Sequence, residues 1–265
     1  MATFLRSLFW VLGALGAVWA GGLLADQEWA KNAWIWPKAP RLNHVFVASV
    51  LAAFSAAALG VAWLGGLAIV RAGALQLVVM CGGAAATLFA SDGYSTDARV
   101  RTYAVALALI AAAAVGLYAL ARRIPLEHGG PMPGPVRWSF GVFVLTLTGS
   151  GLALVLGAAH VFPWPLKPTP SALYGWVFLG SVLFYGHAFL HPSWKNAVPQ
   201  LLAFAVYDLV LLVPFLGLLP DVLPEHQMSL TFYLIVIGYS LALSLYYLFV
   251  HPPTRLFGRR TTPAR

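Results

Sequence analysis

The sequence predicts an all-α, polytopic membrane protein, a bundle of about eight transmembrane helices built as two parallel four-helix repeats. Three observations carry that expectation. The 265 residues are 60% hydrophobic and only 9% charged, with a mean hydropathy of +0.81, whereas a soluble domain carries about 25% charged residues. The apolar residues fall in eight runs, near 4–25, 44–64, 68–90, 101–121, 136–160, 171–191, 197–219 and 229–250. Each is close to the ~20 residues that cross a bilayer core as a helix. Finally, the chain matches itself at an offset of 128 positions.

That offset needs no gap. Trp10 and Gly13 fall on Trp138 and Gly141, Gly21 on Gly149, Trp36-Pro37 and Pro40 on Trp164-Pro165 and Pro168, Tyr118 on Tyr246, and Pro125 on Pro253. It divides the chain into a first repeat over 1–123, a linker over 124–135, a second repeat over 136–253 and a basic tail over 254–265. The linker's four prolines and three glycines cannot continue a helix. All of this forms one integral membrane domain.

Backbone groups in lipid must pair within their own segment or around a closed barrel. Long Ala- and Leu-rich runs without strict alternation exclude the barrel. The first run follows Arg6 as a signal peptide would. Leu8 to Leu24, however, is longer than the ~7–15 residues of such a segment, and it has a counterpart at 136–160. It is therefore counted as a helix.

Orientation follows from the basic residues. With the N-terminus cytoplasmic, Arg6, Arg71, Arg122, Arg123, Arg137, Lys195, Arg255, Arg259, Arg260 and Arg265 lie inside, and Lys31, Lys38, Arg41, Arg99, Arg101 and Lys167 outside. Ten against six favours both termini in the cytoplasm, and an even helix count requires that they share a side. The net charge of +8 thus belongs to helix ends. No basic stripe with interleaved aromatics suggests a nucleic-acid partner. The single cysteine, Cys81, permits no disulfide within the chain and no cysteine metal framework.

Small residues recur every fourth position, as in Gly13-Ala17-Gly21, Ala52-Ala56-Gly60, Gly82-Ala86-Ala90 and Gly149-Ala153-Gly157. Lipid tails are as apolar as leucine, so helices associate through close packing that such stripes permit. They are expected to pack one bundle rather than to form a dimer face.

Two loops repeat most distinctly: Trp36-Pro37-Lys38-Ala39-Pro40 and Trp164-Pro165-Leu166-Lys167-Pro168. Prolines three apart hold the chain extended and start the next helix, and the indoles suit the headgroup layer. One reading makes them anchors. The other makes Trp36 and Trp164 lids over an outward-facing cavity, with Lys38 and Lys167 attracting an anion.

Asp208 is the sharpest single candidate, because it lies mid-run in Phe204-Ala-Val-Tyr-Asp-Leu-Val-Leu-Leu-Val213. A carboxylate at mid-membrane costs at least ~2.5 kcal/mol, so it must face the bundle and find a partner. It is a candidate for proton coupling or cation binding, or else a structural acid. His187 and His191 sit one turn apart near a helix end. At ~1.5 Å per residue, His187 lies about one turn below the interface and Asp208 about 9 Å deeper. A relay from His187 and His191 through Tyr185 or Tyr207 to Asp208 is therefore considered. The histidine spacing also suits a metal, but no third ligand lies nearby. Haem would need facing histidines; His44 and His160 at the outer ends are the only pair expected to meet. Arg71 is expected to reach headgroups, with Gln76 beside it. Asp92, Asp97, Arg99 and Arg101 make a solvated loop. No cofactor or metal is called.

The Trp36-Pro37-Lys38-Ala39-Pro40 loop running into a helix is one recognisable element. Ala86-Thr-Leu-Phe-Ala-Ser-Asp-Gly-Tyr94, followed by an aromatic-led helix ending in Leu-Tyr-Ala-Leu-Ala-Arg-Arg123, is another. Together they resemble uncharacterised bacterial integral membrane proteins built from tandem four-helix units. The resemblance spans nearly the whole chain on short motifs. It implies a bacterial cytoplasmic membrane and no activity, so it transfers no functional residue.

The leading expectation is a permease or carrier for a small solute, proton-coupled through Asp208, and not an enzyme. A non-catalytic accessory or assembly subunit with membrane partners is the second. An enzyme acting on a lipid or quinone is the third. The first requires a pocket beside Asp208.

Overall fold

The computed structural model describes residues 2–64, 69–123 and 130–257. The Gly65-Gly66 turn, linker residues 124–129, and Arg259, Arg260 and Arg265 of the tail lie outside the described residues. Eight long helices account for the architecture: α1 Ala2–Leu24, α2 Arg41–Leu64, α3 Val70–Phe89, α4 Ala98–Ala121, α5 Gly134–Val155, α6 Pro168–Leu190, α7 Trp194–Leu218 and α8 Gln227–Leu245. A 3-10 turn at Pro224–His226 precedes α8, and a π-helical turn at Tyr246–Val250 continues it. All eight are long and apolar enough to cross a membrane, and no named strand exists among the described residues. The chain is an all-α polytopic membrane bundle. Two short helices, Glu28–Asn32 and Gly93–Thr96, stand in loops where the sequence signalled only connection.

The helices stand in two rows. In one, α1 packs on α2, α2 on α7, and α7 on α8; in the other, α4 packs on α3, α3 on α6, and α6 on α5. The consecutive pair α2 and α3 does not pack closely among the described residues, and α6 barely touches α7. The rows therefore leave space between them.

Glycine sets the closest seams. A Cβ on Gly180 of α6 would lie 2.7 Å from the Gln76 carbonyl oxygen on α3, and one on Gly175 would lie 2.7 Å from that of Gly151 on α5. Gly60 meets Leu202 of α7 and Gly13 meets Leu59 of α2. The four-residue stripes only partly predicted this. Gly21 and Gly149 face open space, and α5 uses Gly151 instead.

Arginines tie the helix ends together. A helix C-terminus leaves carbonyls unpaired and carries the negative end of the dipole. Arg6 donates to the carbonyls of Ala62 (2.8 Å) and Trp63 (3.2 Å) at the end of α2. Arg41 donates to Leu23 (2.6 Å) and Leu24 at the end of α1. Arg137 donates to Phe189 (3.2 Å) near the end of α6. Arg71 donates to Ala121 (2.9 Å) and Arg122 (3.1 Å) at the end of α4, which corrects its assignment to lipid headgroups. In the loop before α4, Asp97 accepts from the Arg99 backbone N–H at 2.7 Å and caps that helix.

Candidate functional site

Between the rows lies a cavity of about 220 Å³ to which every one of the eight helices contributes a wall. It runs along α2 from Val50 to Val61, along α3 from Val70 to Leu77 and along α7 from Pro199 to Asp208. These stretches place it from mid-bundle toward the face where Ala2 and Phe257 lie, the terminal face. Its walls are mostly alkyl and aromatic. An engineered cavity of about 150 Å³ lined by apolar side chains takes up benzene, so this one has room for a ring with substituents.

Asp208 stands in the cavity wall, 1% exposed, near the middle of α7. The only hydrogen-bond partner of its carboxyl among the described residues is Ser240 of α8, whose Oγ lies 2.6 Å from Oδ2. The same Oγ lies 2.8 Å from the Val236 carbonyl oxygen. A hydroxyl has one hydrogen to donate. If Ser240 donates to Val236, a protonated Asp208 donates to Ser240; if Ser240 donates to Oδ2, the proton of a protonated Asp208 sits on Oδ1. Oδ1 has no partner among the described residues.

Tyr185 and Tyr207 line the same cavity. Tyr185 stacks on Phe204 with centroids 4.3 Å apart and planes 8° from parallel. Gln76 also lines it and donates to Ser181 Oγ at 3.1 Å, bridging α3 and α6. The Tyr233 hydroxyl is buried without a partner. Asp208, Tyr185 and Tyr207 are thus brought together.

The histidines are not. His187 and His191 stack on each other at 4.5 Å, and His191 Nδ1 lies 3.0 Å from the His187 carbonyl oxygen. Neither lines the cavity, and His187 Nδ1 is buried without a partner. No hydrogen-bonded chain among the described residues joins them to Asp208. The helical twist turns His187 away from the face that carries Tyr185.

The Trp-Pro loops do not reach the cavity either. Trp164 is buried and donates to Asn43 Oδ1 at 2.6 Å. It packs edge-to-face in an aromatic plug with Phe162 (4.8 Å) and Phe215 (5.9 Å). Phe46 extends the plug to Phe162 (5.0 Å) and to Phe178 and Tyr207, which are cavity residues. The plug separates loop from cavity, so Trp164 closes that side as a fixed wedge and not as a lid. Trp36 is half-buried against Trp34 at 6.2 Å. Pro37 is half-buried, and Pro165, Lys38 and Lys167 are exposed; neither lysine lines the central cavity.

His160 meets His226, with ring centroids 5.0 Å apart, and His44 bonds instead to the Trp36 carbonyl oxygen at 3.3 Å. His226 Nδ1 lies 2.7 Å from the Phe162 carbonyl oxygen, and Ser229 donates to the Val161 carbonyl at 2.6 Å. That pair of bonds pins the loop to the start of α8, so the expected His44–His160 meeting does not occur. No group of three or more His, Cys, Asp or Glu able to hold a metal exists among the described residues.

Sequence reasoning passed over Ser240, Ser181 and Phe204. A helix-core serine carries no signal of its own, because its hydroxyl returns to the preceding turn. Comparison with protein-family models, curated proteins and solved structures finds no match to this chain.

Proposed function

We propose that this integral membrane protein is a carrier for a small, largely apolar solute, with the central cavity as its binding chamber and Asp208 as the group that exchanges a proton. The observation that carries the reading is the chamber itself, a roomy apolar space at mid-bundle with one unmatched carboxyl oxygen in its wall. A structural subunit has no need of such a space, since empty apolar volume forfeits packing energy. Among the described residues no lysine, arginine or histidine lines the chamber, so an anionic solute would meet a carboxyl and no counter-charge. A neutral solute fits best.

We further propose that the two halves are true repeats in a bacterial cytoplasmic membrane, with both termini inside. The α2–α7 and α3–α6 pairings support this, because the 128-residue offset converts one into the other. Phe46 and Tyr174 are equivalent under that offset and their rings touch at 4.5 Å, as residues on a pseudo-two-fold axis must. Tandem-repeat transporters place their sites at such an interface.

The test uses the full chain in liposomes containing a pH-sensitive dye, challenged with small neutral aromatic alcohols and ketones. Solute-driven proton movement is expected in the wild type and lost in Asp208→Asn. Equal flux in both would remove Asp208 from the coupling step.

A further inference from the structure

The chamber is closed above and below and open at its sides. Toward the Trp-Pro loops it ends at the aromatic plug, where Phe178 and Tyr207 belong to both. Toward the terminal face it ends on a buried core that includes Phe140, Ala188, Ala197 and Leu201. Laterally its walls extend to the outermost helices of the two rows, α5 and α8, which do not pack closely on each other among the described residues. They are bridged near the terminal face by Ser139 and the Tyr239 hydroxyl, 2.7 Å apart. Above that bridge, Phe232 of α8 lines the chamber while 49% exposed on the outside of the bundle. Thr146 and Ser150 of α5 line the same passage and are only half-buried. In a membrane this outer surface faces lipid, so the opening leads into the bilayer and not into water.

The polar groups define the head that fits. The hydroxyls of Tyr185 and Tyr207 and Asp208 Oδ1 make no hydrogen bond among the described residues, Asp208 is more than nine-tenths buried, and the Tyr233 hydroxyl, on the same chamber wall, is buried without a partner. Buried polar groups are normally paired, so these await a hydrogen-bonding ligand. Tyrosine hydroxyls donate, and so does an Asp208 that accepts from Ser240 at Oδ2 and carries its proton on Oδ1; the complement is a molecule with two or more carbonyl acceptors. The stacked Tyr185–Phe204 pair offers a flat aromatic wall on which a planar ring can lie.

We propose that the chamber takes a lipid-soluble molecule with a flat, dicarbonyl, quinone-type head and a hydrocarbon tail, admitted sideways from the bilayer between α5 and α8. The head lies against Tyr185, Tyr207 and Asp208, and the tail leaves past Phe232, Thr146 and Ser150. This rests on the carrier reading insofar as both use the same chamber.

The experiment is photo-crosslinking of the full chain in nanodiscs with a benzophenone bearing a ten-carbon tail, mapped by mass spectrometry. Adducts are expected in the segments 143–150 and 232–240. A benzoquinone with the same tail should suppress them, and decanol or decanoate should not. Asp208→Leu and Tyr207→Phe should each raise the quinone concentration needed for half-suppression about three- to tenfold, the worth of one hydrogen bond. Ser150→Trp, or the milder Thr146→Phe, should slow labelling by narrowing the opening. Absence of adducts in these segments overturns the proposal, as does equal suppression by decanol. Unchanged labelling rates in both folded opening variants overturn the lateral route. Proton flux with no quinone-sensitive labelling would keep the carrier and discard this ligand. Labelling without flux would do the reverse.

Discussion

Ser240 on α8 holds Asp208 on α7 across a gap of 2.6 Å, the shortest polar link between the two helices at mid-bundle. Removing the hydroxyl leaves a buried carboxyl with nothing to bond, at a cost of about 1–3 kcal/mol. Ser240→Ala should lower thermal stability in detergent, and Asp208→Leu in the same background should recover part of the loss by removing the unpaired carboxyl. A double-mutant cycle measures the coupling. A coupling near zero would mean that the pair contributes nothing beyond proximity.

Gly180 and Gly60 separate two kinds of close approach. A methyl on Gly180 meets backbone, the Gln76 carbonyl oxygen at 2.7 Å, whereas one on Gly60 meets the end of the Leu202 side chain at 2.8 Å. Leucine can turn aside and a helix backbone cannot. Gly180→Ala should therefore cost about 1–3 kcal/mol by forcing α3 off α6, and Gly60→Ala clearly less. Equal melting temperatures for the two variants would contradict that ordering.

Arg41 bonds to the end of α1 and also faces Asp26 at 3.8 Å. Its replacement by glutamine keeps a donor and removes the charge. The expected loss is about 0.3–1 kcal/mol, the worth of a cation at a helix C-terminus. Hydrogen exchange should show earlier opening of the last turn of α1, with the centre of the bundle unchanged.

Phe46 touches Phe162, Trp164, Tyr174, Phe178 and Tyr207 at once. Phe46→Ala should cost about 3–5 kcal/mol, because a void at the plug's centre cannot be filled by rings already in contact. Phe46→Leu should recover most of the stability. Similar losses for both would point to the ring contacts themselves and not to the filled volume.

The helix count and spans were legible because bilayer thickness leaves a sequence few choices. Asp208 was legible for the same reason, since one acid in a long apolar run is conspicuous. Its surroundings were not. Tyr185, Tyr207, Asp208 and Ser240 align with Ala57, Val79, Met80 and Ala112 at the 128-residue offset, so that self-match is silent about the chamber. The Trp-Pro loops misled in the opposite way. Their shared spacing suggested a shared role, yet Trp164 is driven into the core by Asn43 and Phe162, while Trp36 packs at the edge against Trp34. Pairwise geometry of that sort depends on which helices become neighbours. Here Asn43 meets Trp164, Phe46 meets Tyr174 and Gln76 meets Ser181, each from more than a hundred positions away and beyond the reach of local pattern.

The aromatic plug also bears on how fast the two sides of the protein can exchange their contents. Any route from the chamber to the Trp-Pro side must part Phe46 from Tyr174 and Phe162 from Trp164, rings held at 4.5 and 4.8 Å. Such pairs are worth about 0.5–1.5 kcal/mol each, and several must yield together. Passage toward the lipid disturbs only Phe232 and two small hydroxylated side chains. Under the proposed carrier role the molecule is a one-sided vestibule at rest, and crossing to the far side is its slow, strongly temperature-dependent step.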